Sequence, residues 1–558
     1  MLVAVVADER GGGVLQPLDP AGRPTAPAEP VTDLTAAVAA REAADHPRWV
    51  WATGATLYPA LLRAGVRLDR CHDVELTEAL LLGHAGRWGE PRSLAAAWAR
   101  LTGAPVPADP PPRQPDPPGH AQGALFDTPS GPPGPGITAL TRVYADQLAR
   151  IAATTHPGRF RLLVAAESAG ALIGAEMGAV GLPWRVDVHD AILTGLLGEA
   201  SPVGGPPRRL AELAARIAEL LGVPGLHADS PAELIRAFAR AGVELPNTRA
   251  WVLRGVDHPA VPLVLEYKEL YRIWTAHGWA WRDAWVSGGR FRPEYVPGGV
   301  VSGRWATRGG GALQIPKVIR RAVVADPGHR FVVADAGQLE PRVLAAVSGD
   351  ARLAAAGGAG DLYAALARDA FGGDRARAKV ALLGAMYGQT GGAALPALAV
   401  LRHSYPTAFG YVEAAARTGE AGGLVRSWLG RTCPPGGVAA GGDDGAPDPD
   451  LDGGPQSPRA RAARSRGRFT RNFVIQATAA EWASTLLATL RAELAGTAAE
   501  LVFFQHDEVV VHCPVEQAEA VAEGVARAGA RASALLFKDT PVRFPLDLSI
   551  VECYADAA

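Results

Sequence analysis

The sequence predicts a multidomain protein of mixed α and β structure. A chain of 558 residues is too long for one compact core. Strand-like segments occur near both ends: MLVAVVAD and PRWVWATG at the start, and LVFFQ, VVVHCP and PLDLSIVEC at the end. The middle, from about 137 to 300, has the leucine and alanine spacing of helices. We therefore expect an α/β fold of the α+β multidomain type.

Two segments rich in proline and glycine, 106–136 and 434–458, interrupt this pattern. Neither can bury apolar surface, so we expect a linker and an exposed loop. An arginine-rich stretch follows the second segment; its members are Arg459, Arg461, Arg464, Arg466, Arg468 and Arg471. Such a run is typical of a solvated helix face, although local charge of this kind also attracts phosphates. The formal net charge of −2 does not by itself indicate a nucleic-acid binder.

Composition argues against several classes of protein. The chain has no run of about 20 uncharged apolar residues, so we expect no transmembrane helix. Its first residues lack the basic segment of a signal peptide. The four cysteines are scattered without a CxxC pair, which favours reduced thiols over disulfides or a zinc site.

The segment RFVVADAGQLEPR contains the first candidate site. A buried strand is expected to end at Asp335, and a helix to begin at about Leu339. A carboxylate at a strand end can hold a hard cation through oxygen. The alternative is an ordinary acid that caps the helix.

The segment LVFFQHDEVVVHCP contains the second. Two apolar strands flank His506, Asp507 and Glu508, which must form a tight hairpin tip. Adjacent acids repel each other unless a cation lies nearby, although a plain charged turn is the alternative. Together with Asp335, Asp507 would supply a pair of carboxylates for two divalent ions about 3.5–4 Å apart. Mg²⁺ suits such a site because it takes few protein carboxylates and keeps water or phosphate ligands.

The segment DRARAKVALLGAMYG contains the third. On a helix, Arg375, Lys379, Leu383 and Tyr387 are spaced four apart and share one face. The cations suit a triphosphate and the ring suits a base. The chain has only four lysines, which favours a functional role for Lys379 over an ordinary amphipathic surface.

These three segments resemble motifs A, B and C of family A DNA polymerases, in the order of that family. Motif A reads D-Y-S-Q-x-E-x-R, and residues 335–342 read DAGQLEPR. Motif B reads R-x3-K-x3-F-G-x2-Y-G, which residues 375–388 match with Leu383 in place of the aromatic. Motif C, H-D-E, is matched at 506–508.

Weaker similarities extend the resemblance over about 230–558. LVLEYKEL resembles the thumb-to-palm helix, GRWAT resembles T-G-R-L-S-S, and LQIP resembles L-Q-N-I-P. SRGRFTRNFVIQATAAE resembles R-x3-N-x3-Q-G-T-A-A-D. The DNA contacts that these matches imply are Arg304, Arg468, Asn472 and Gln476.

The resemblance implies a right-hand polymerase that adds deoxynucleotides to a primer 3′ end. Asp335, Asp507 and the backbone carbonyl of Ala336 would hold two Mg²⁺ ions, for which Mn²⁺ could substitute. The implied catalytic residues are Asp335, Asp507, Lys379 and Glu508. The implied nucleotide contacts are Arg375, Lys379, Tyr387, Glu340, Gln338, His506 and Leu383. Of these, Glu340 would exclude a ribose 2′-OH. Leu383, in place of the family's aromatic residue, would weaken the contact with the sugar of the incoming nucleotide.

The N-terminal region resembles, more weakly, the family's ribonuclease H-like 3′–5′ exonuclease domain without its catalytic acids. The first exonuclease motif needs D-x-E, where this chain has Ala7-Asp8-Glu9. The second falls in WATGATLYPALL, which contains no acid, and the third would place an acid at Leu148, four residues after Tyr144. We therefore expect no proofreading activity, and no separate 5′ nuclease domain.

The expected division follows from these matches. It comprises the degenerate exonuclease-like domain (1–105), a linker (106–136), the thumb with connecting helices (137–300), palm (301–350), fingers (351–433), a low-complexity loop (434–458) and palm again (459–558). The expected partners are primer-template DNA and dNTPs, for a monomer in the bacterial cytoplasm, at the nucleoid and away from membranes, acting in replication or repair.

Two alternatives remain at this point. One is a catalytically silent DNA-binding protein, against which the retained Asp335, Lys379 and Asp507 argue. The other is a bifunctional exonuclease and polymerase whose nuclease acids lie elsewhere in the N-terminal region. The candidate acids are Asp8, Glu9, Asp73 and Asp146.

Overall fold

The computed structural model describes residues 1–111, 135–200, 204–388, 395–435 and 457–557. Most of the predicted linker and of the predicted low-complexity loop lie outside these ranges, so the expectations for them stay untested.

A mixed five-stranded sheet forms the N-terminal part. Its elements are β1 (Leu2–Ala7), β2 (Gly13–Leu18), β3 (Glu29–Val31), α1 (Leu34–Asp45), β4 (Arg48–Trp51), α2 (Gly54–Arg63), β5 (Arg70–Asp73), α3 (Val74–His84), α4 (Leu94–Thr102) and α5 (Ile137–Ala152). The strand order is β3-β2-β1-β4-β5. Strand β1 pairs antiparallel with β2 and parallel with β4, while β4 and β5 are parallel.

Alternate residues of β1 point to opposite faces of this sheet, as a strand requires. Val3 and Val5 pack in a cluster with α1 and α2, whereas Ala4 packs with Leu140 and Tyr144 of α5. Helix α5 therefore belongs to the core of the N-terminal sheet. The division at residue 137 that the sequence suggested separates this helix from the sheet it packs against, because the proline-rich segment before it hid the tertiary contact.

A helical region follows, as the leucine spacing predicts. Its elements are α6 (Pro157–Val180), β6 (Leu182–Pro183), α7 (Val186–Leu197), α8 (Arg208–Leu220), α9 (Pro231–Arg240), α10 (Ala250–Leu253), α11 (Ala260–His277), α12 (Trp279–Trp285), β7 (Val286–Ser287), β8 (Arg290–Phe291), β9 (Glu294–Val296) and β10 (Ala306–Arg308). Strands β6, β8 and β7 form one small sheet, and β9 and β10 another.

The C-terminal part contains β11 (His329–Ala336), α13 (Leu339–Val347), α14 (Ala351–Gly357), α15 (Leu362–Ala370), α16 (Arg375–Tyr387), α17 (Leu395–Ser404), α18 (Pro406–Glu420), α19 (Pro458–Glu493), β12 (Glu500–Gln505), β13 (Glu508–Pro514), α20 (Ala518–Phe537) and β14 (Leu546–Val551). Its four strands form an antiparallel sheet in the order β12-β13-β11-β14. Helix α20 packs on this sheet and on α19. The strand predicted to end at Asp335 is therefore one of the two inner strands of the sheet.

Within the described ranges, α6 is long and apolar enough, by length and composition alone, to cross a membrane. Its most apolar stretch is 61% buried, and it contacts β5, β9, β12 and α19. Its acids pair with arginines elsewhere in the chain, Glu167 with Arg431 and Glu176 with Arg491. These contacts are typical of a helix in the core of a folded protein. The sequence alone did not indicate this segment as a possible membrane-spanning helix.

The guanidinium of Arg342, on α13, joins three segments next to the end of β11. Its side chain is fully buried and donates to the carbonyls of Gly337, Gly357 and Gly360, at 3.1, 2.8 and 2.6 Å. It also donates to the carbonyl of Arg543, just before β14, at 2.9 Å. Hydrogen bonds from a charged donor are stronger than neutral ones, so this residue fixes where β11, α15 and β14 meet.

We predict that Arg342→Met lowers the free energy of unfolding by at least about 3 kcal/mol, because several buried carbonyls lose their donor. Urea denaturation followed by circular dichroism measures the loss. The control is Arg330→Met, which removes an ion pair with the exposed Glu552 and should cost less than about 1 kcal/mol. Equal losses in the two variants would contradict the anchoring role.

Candidate active site

Three acidic residues are opposed across the C-terminal sheet at the end of β11. Asp335 lies directly opposite Glu508 of β13 on one side and opposite Asp547 of β14 on the other. Directly opposed side chains in an antiparallel sheet share a face, with Cβ atoms about 4.5–5.5 Å apart. The motifs predicted that Asp335 and the acids of motif C lie on neighbouring strands, with Asp507 as the partner of Asp335. Asp547 was missed, because only the strand register reveals it.

Asp507 occupies the tip of the β12–β13 hairpin, as the sequence predicts. His506 before it has a φ of 58°, and the Asp507 amide donates to the carbonyl of Gln505 at 2.8 Å. The Ala336 amide donates to the Asp507 carbonyl at 3.2 Å. The turn is thereby tied to the end of β11, and Asp507 comes close to Asp335.

The two aspartates repel each other. Burial, and then the charge of Asp335, raise the pKa of Asp507 to about 7, against an opposing effect from Arg304. Burial and the charge of Asp547 also raise the pKa of Asp335. A raised carboxyl pKa means that the ionised form is disfavoured, which a bound cation would reverse.

The donors at this point are all oxygens, which suits Mg²⁺. In the described part of the chain, no group of three or more histidine, cysteine or acidic side chains could by itself hold a metal ion. The pair of aspartates with the carbonyl of Ala336 would therefore form an incomplete shell. Such a shell fits an ion that takes its other ligands from water and substrate phosphates.

Glu508 is held differently from the two aspartates. The Tyr554 hydroxyl donates to its carboxylate, and the Arg320 guanidinium lies 3.7 Å from it. Arg320 also lies 4.5 Å from the centre of the Tyr554 ring. Tyr554 and Arg320 thus hold the carboxylate that the motif implied to be catalytic. Neither partner could be found from the sequence, since both lie far from motif C along the chain.

Helix α16 presents the predicted stripe. The Asp374 side chain caps the helix by accepting from the Arg377 amide at 2.9 Å. Arg375, Lys379 and Tyr387 are exposed, whereas Leu383 is half-buried against the core. The helical spacing predicted from the sequence is confirmed, and Leu383 contributes to packing as well as to the exposed face.

Arg375 and Gln338 contact an acid that the motifs did not indicate. Arg375 donates to Asp361 at 2.7 Å, and the Gln338 amide donates to the same carboxylate at 2.9 Å. Burial raises the pKa of Asp361, but the hydrogen bonds from Arg375 and Gln338 outweigh it, and the pKa falls to about 2. Asp361 therefore stays ionised and forms an ion pair with Arg375, a residue that the motif predicts to bind nucleotide.

A chain of hydrogen bonds connects residues from three of the matched segments. Arg304 donates to one carboxylate oxygen of Glu340 at 2.7 Å, and the Tyr387 hydroxyl donates to the other at 2.7 Å. Burial, and then the charge of Glu340, raise the pKa of the Tyr387 hydroxyl. Both carboxylate oxygens of Glu340 accept a hydrogen bond, so its side chain is fixed between Arg304 and Tyr387.

The remaining predicted DNA contacts lie along α19. Arg468, Asn472 and Gln476 are spaced four apart, so they share one face of the helix. Arg468 lies beside the end of α16, since a Cβ added to Gly388 would stand 3.2 Å from its Cγ atom. The side-chain oxygen of Asn472 is buried and accepts no hydrogen bond from the described residues.

The candidate nuclease acids of the N-terminal sheet have separate partners. Asp8 accepts from the amides of Arg10 and Gly12, which closes the β1–β2 turn that also contains the exposed Glu9. Asp73 caps α3 by accepting from the Leu76 amide at 3.0 Å, and it also accepts from the Gly54 amide.

Asp146 pairs with Arg150 at 3.2 Å. Leu148, at the position of the third motif's acid, packs against the core of the sheet, and Tyr144 lies edge-on to His72. Glu78, which the sequence did not indicate, is fully buried and pairs with Arg100 and Arg150. Asp8, Asp73, Asp146 and Glu78 therefore each have a local hydrogen-bond or ion-pair partner.

Comparison with known proteins agrees with this geometry. The family model of DNA polymerase family A matches residues 207–550. DNA polymerase I of Chloroflexus aurantiacus is 28% identical over 294 residues, which are 48% of this chain and 29% of that protein. The thermostable DNA polymerase I of Thermus aquaticus is 28% identical over 305 residues, 50% of this chain and 35% of that protein. The matched part thus spans about a third of these relatives.

A solved structure has a similar fold. The POL domain of Pol1 from M. smegmatis, in complex with DNA primer-template and dNTP, aligns with a TM-score of 0.69 over 100% of this chain and 95% of that one, at 18% identity. Because the family model covers more than half of the residues, the chain belongs to DNA polymerase family A.

Proposed function

We propose that this chain carries out template-directed DNA synthesis, in which it joins deoxynucleotides to a primer 3′ end with release of pyrophosphate. The observation that carries the proposal is the approach of Asp507 to Asp335, where burial and mutual repulsion leave both carboxyl groups short of a counter-charge. Because its carboxylates repel each other, this site is suited to cations that bind together with the substrate.

The proposed reaction joins the primer 3′ oxygen to the α-phosphorus as the bond to pyrophosphate breaks. Two Mg²⁺ ions, or Mn²⁺ in their place, would lower the charge on the attacking and departing oxygens when bound between Asp335 and Asp507. Arg375, Lys379 and His506 would hold the triphosphate. Arg forks onto phosphate oxygens, whereas Lys379 supplies a compact charge and a proton for the departing pyrophosphate.

Glu340 is proposed to select the sugar. Its carboxylate is fixed by Arg304 and Tyr387, and such fixation is what a steric barrier to a 2′-OH requires. Tyr387 would pack beside the new base pair, next to Leu383. Gln338 would act by holding Asp361 in place as well as by contacting nucleotide.

The domain roles follow from the same resemblance. We assign 301–350 and 459–558 to the palm, 351–433 to the fingers and 137–300 to the thumb and connecting helices. The order β3-β2-β1-β4-β5, with its parallel β1, β4 and β5, supports a ribonuclease H-like N-terminal domain. The local partners of Asp8, Asp73 and Asp146 support its being inactive as a nuclease.

The proposed setting is DNA replication or repair in a bacterial cytoplasm, at the nucleoid. The proposed partners are primer-template DNA and dNTPs, bound by a monomer that does not need a membrane. The ion pairs of Glu167 and Glu176 with arginines support a core role for α6.

We predict that Asp335→Ala or Asp507→Ala abolishes Mg²⁺-dependent primer extension, because one carboxylate cannot hold both ions. Gel-resolved extension and fluorescence anisotropy measure activity and DNA binding, and binding should stay within a few-fold. The control is Asp326→Asn, an acid that precedes β11 at its opposite end and pairs with Arg290. Extension that persists in either aspartate variant would remove the two-metal assignment.

Glu340→Ala is expected to increase ribonucleotide insertion relative to deoxyribonucleotide insertion, since the fixed carboxylate disappears. Single-nucleotide kinetics with matched dNTP and rNTP measure the ratio of kcat/KM. Glu294→Ala, which breaks an exposed pair with Arg308, serves as the control. An unchanged ratio in the Glu340 variant would assign selectivity to another residue.

The purified chain should leave a mismatched primer 3′ end intact in Mg²⁺ or Mn²⁺, because Asp8, Asp73 and Asp146 are separately capped or paired. Incubation of an end-labelled mismatched primer-template without dNTPs provides the measurement. Trimming that disappears in Asp8→Ala would show that the N-terminal sheet is an active nuclease.

A further inference from the structure

The carboxylate of Glu508 is held by side chains from outside motif C, although Glu508 lies beside Asp335. The two acids are directly opposed in the pairing of β11 with β13, so their side chains share a face of the sheet. One carboxylate oxygen of Glu508 accepts from the Tyr554 hydroxyl, and the other lies 3.7 Å from the Arg320 guanidinium. A separation of 3.7 Å is too long for a hydrogen bond. The Tyr554 hydroxyl therefore supplies the directional contact that sets where this carboxylate lies.

The C-terminal segment of the chain fixes the Tyr554 hydroxyl. Tyr554 is 1% exposed, and its ring lies edge-on to the ring of Phe503 in β12, with the ring centres 5.9 Å apart. The Tyr554 amide donates to the carbonyl of Val323 at 3.0 Å, and the Ala325 amide donates to the carbonyl of Glu552 at 2.8 Å. The C-terminal segment thus pairs with the segment that precedes β11, in the antiparallel sense. The hydroxyl is positioned by this pairing and not by the hairpin of motif C.

The Arg320 guanidinium joins the tyrosine ring to that hairpin. It lies 4.5 Å from the centre of the Tyr554 ring, and it donates to the side-chain oxygen of Gln505 at 3.2 Å. Gln505 is the last residue of β12, two positions before Asp507. A phenylalanine ring would keep the contact with the guanidinium, because the cation is attracted to the face of the ring. The hydroxyl can therefore be removed while this packing is retained.

A third carboxylate beside Asp335 and Asp507 would change what the site can bind. The number and charge of the oxygen ligands set the affinity of such a site for divalent ions. An ion held by three carboxylates would bind more tightly, and it would keep fewer positions for water and substrate phosphates. Glu508 is close enough in the sheet to become that ligand if nothing held it elsewhere.

We propose that Tyr554 is a positioning residue that keeps the Glu508 carboxylate away from the ions and so sets how tightly they bind. The proposal rests on the proposed polymerase function, from which the ions at Asp335 and Asp507 are taken. Tyr554 touches neither substrate nor ion and acts through Glu508. The open positions on the ions, which the triphosphate needs, thus depend on the C-terminal segment.

The test measures Mn²⁺ binding by electron paramagnetic resonance of the free ion, without DNA or nucleotide. It compares the wild type with Tyr554→Phe, with Glu508→Gln and with the double variant. Asp335→Ala identifies which of the bound ions belong to this site. The matched control is Tyr295→Phe, because Tyr295 is also buried but its hydroxyl donates to no carboxylate in the described part of the chain.

Tyr554→Phe should bind Mn²⁺ several-fold more tightly than the wild type, because the released carboxylate joins the ion. The same substitution should have no effect when it is combined with Glu508→Gln, since a neutral amide adds no charge to the site. Steady-state primer extension by Tyr554→Phe should show a higher KM for dNTP with a smaller change in kcat, because the carboxylate takes a position that a phosphate would occupy. Tyr295→Phe should match the wild type in both measurements.

Unchanged or weaker Mn²⁺ binding by Tyr554→Phe would overturn the proposal. Tighter binding that persists with Glu508→Gln, or that also appears in Tyr295→Phe, would overturn it as well, and so would the absence of any Mn²⁺ site that depends on Asp335. A wild-type crystal soaked in Mn²⁺ gives a readout that does not depend on the folding of a variant, and an anomalous peak in contact with Glu508 would contradict the proposal. Primer extension by the wild type is measured in parallel. Its absence would count against the polymerase function, whereas the Mn²⁺ affinities concern only the role of Tyr554.

Discussion

The strand register at the end of β11 imposes a charge repulsion on which the site depends. An antiparallel sheet sets directly opposed side chains about 5 Å apart, and here the opposed residues are Asp335, Glu508 and Asp547. The hairpin tip adds Asp507. Two of the nearby cations are already engaged: Arg320 is shared with Tyr554, and Arg304 is bound to Glu340. The excess of negative charge is the physical reason for a cation there.

The backbone next to the acids at the end of β11 is held by buried hydrogen bonds, whereas the proposed nucleotide contact Arg375 on α16 forms an exposed ion pair. Arg342 is buried and fixes the turn after β11 through backbone carbonyls. In contrast, the Arg375–Asp361 pair is largely exposed, and exposed ion pairs are weak. In the proposed function, an incoming triphosphate would therefore displace Asp361 from Arg375 at little cost. Before nucleotide binds, Asp361 would thus hold Arg375 on the exposed face of α16 through a weak ion pair that a phosphate can replace.

The sequence predicted those features that depend on local spacing. The hairpin at Asp507, the strand ending near Asp335 and the stripe on α16 follow from periods of two and four residues. Features that depend on distant contacts were missed: Asp547 opposite Asp335, Asp361 beneath Arg375, and Tyr554 on Glu508. No local pattern encodes these pairings, because strand order and loop paths bring them together. The same limit explains the placement of α5, whose partner sheet lies across a proline-rich segment.

The most direct test of the two-metal account is a crystal structure of the chain with primer-template, a non-hydrolysable dNTP and Mn²⁺, with anomalous difference maps. The account predicts two manganese peaks about 3.5–4 Å apart, both in contact with the carboxylates of Asp335 and Asp507. A map with nucleotide bound but no peak between these two residues would contradict it, as would manganese held by other acids.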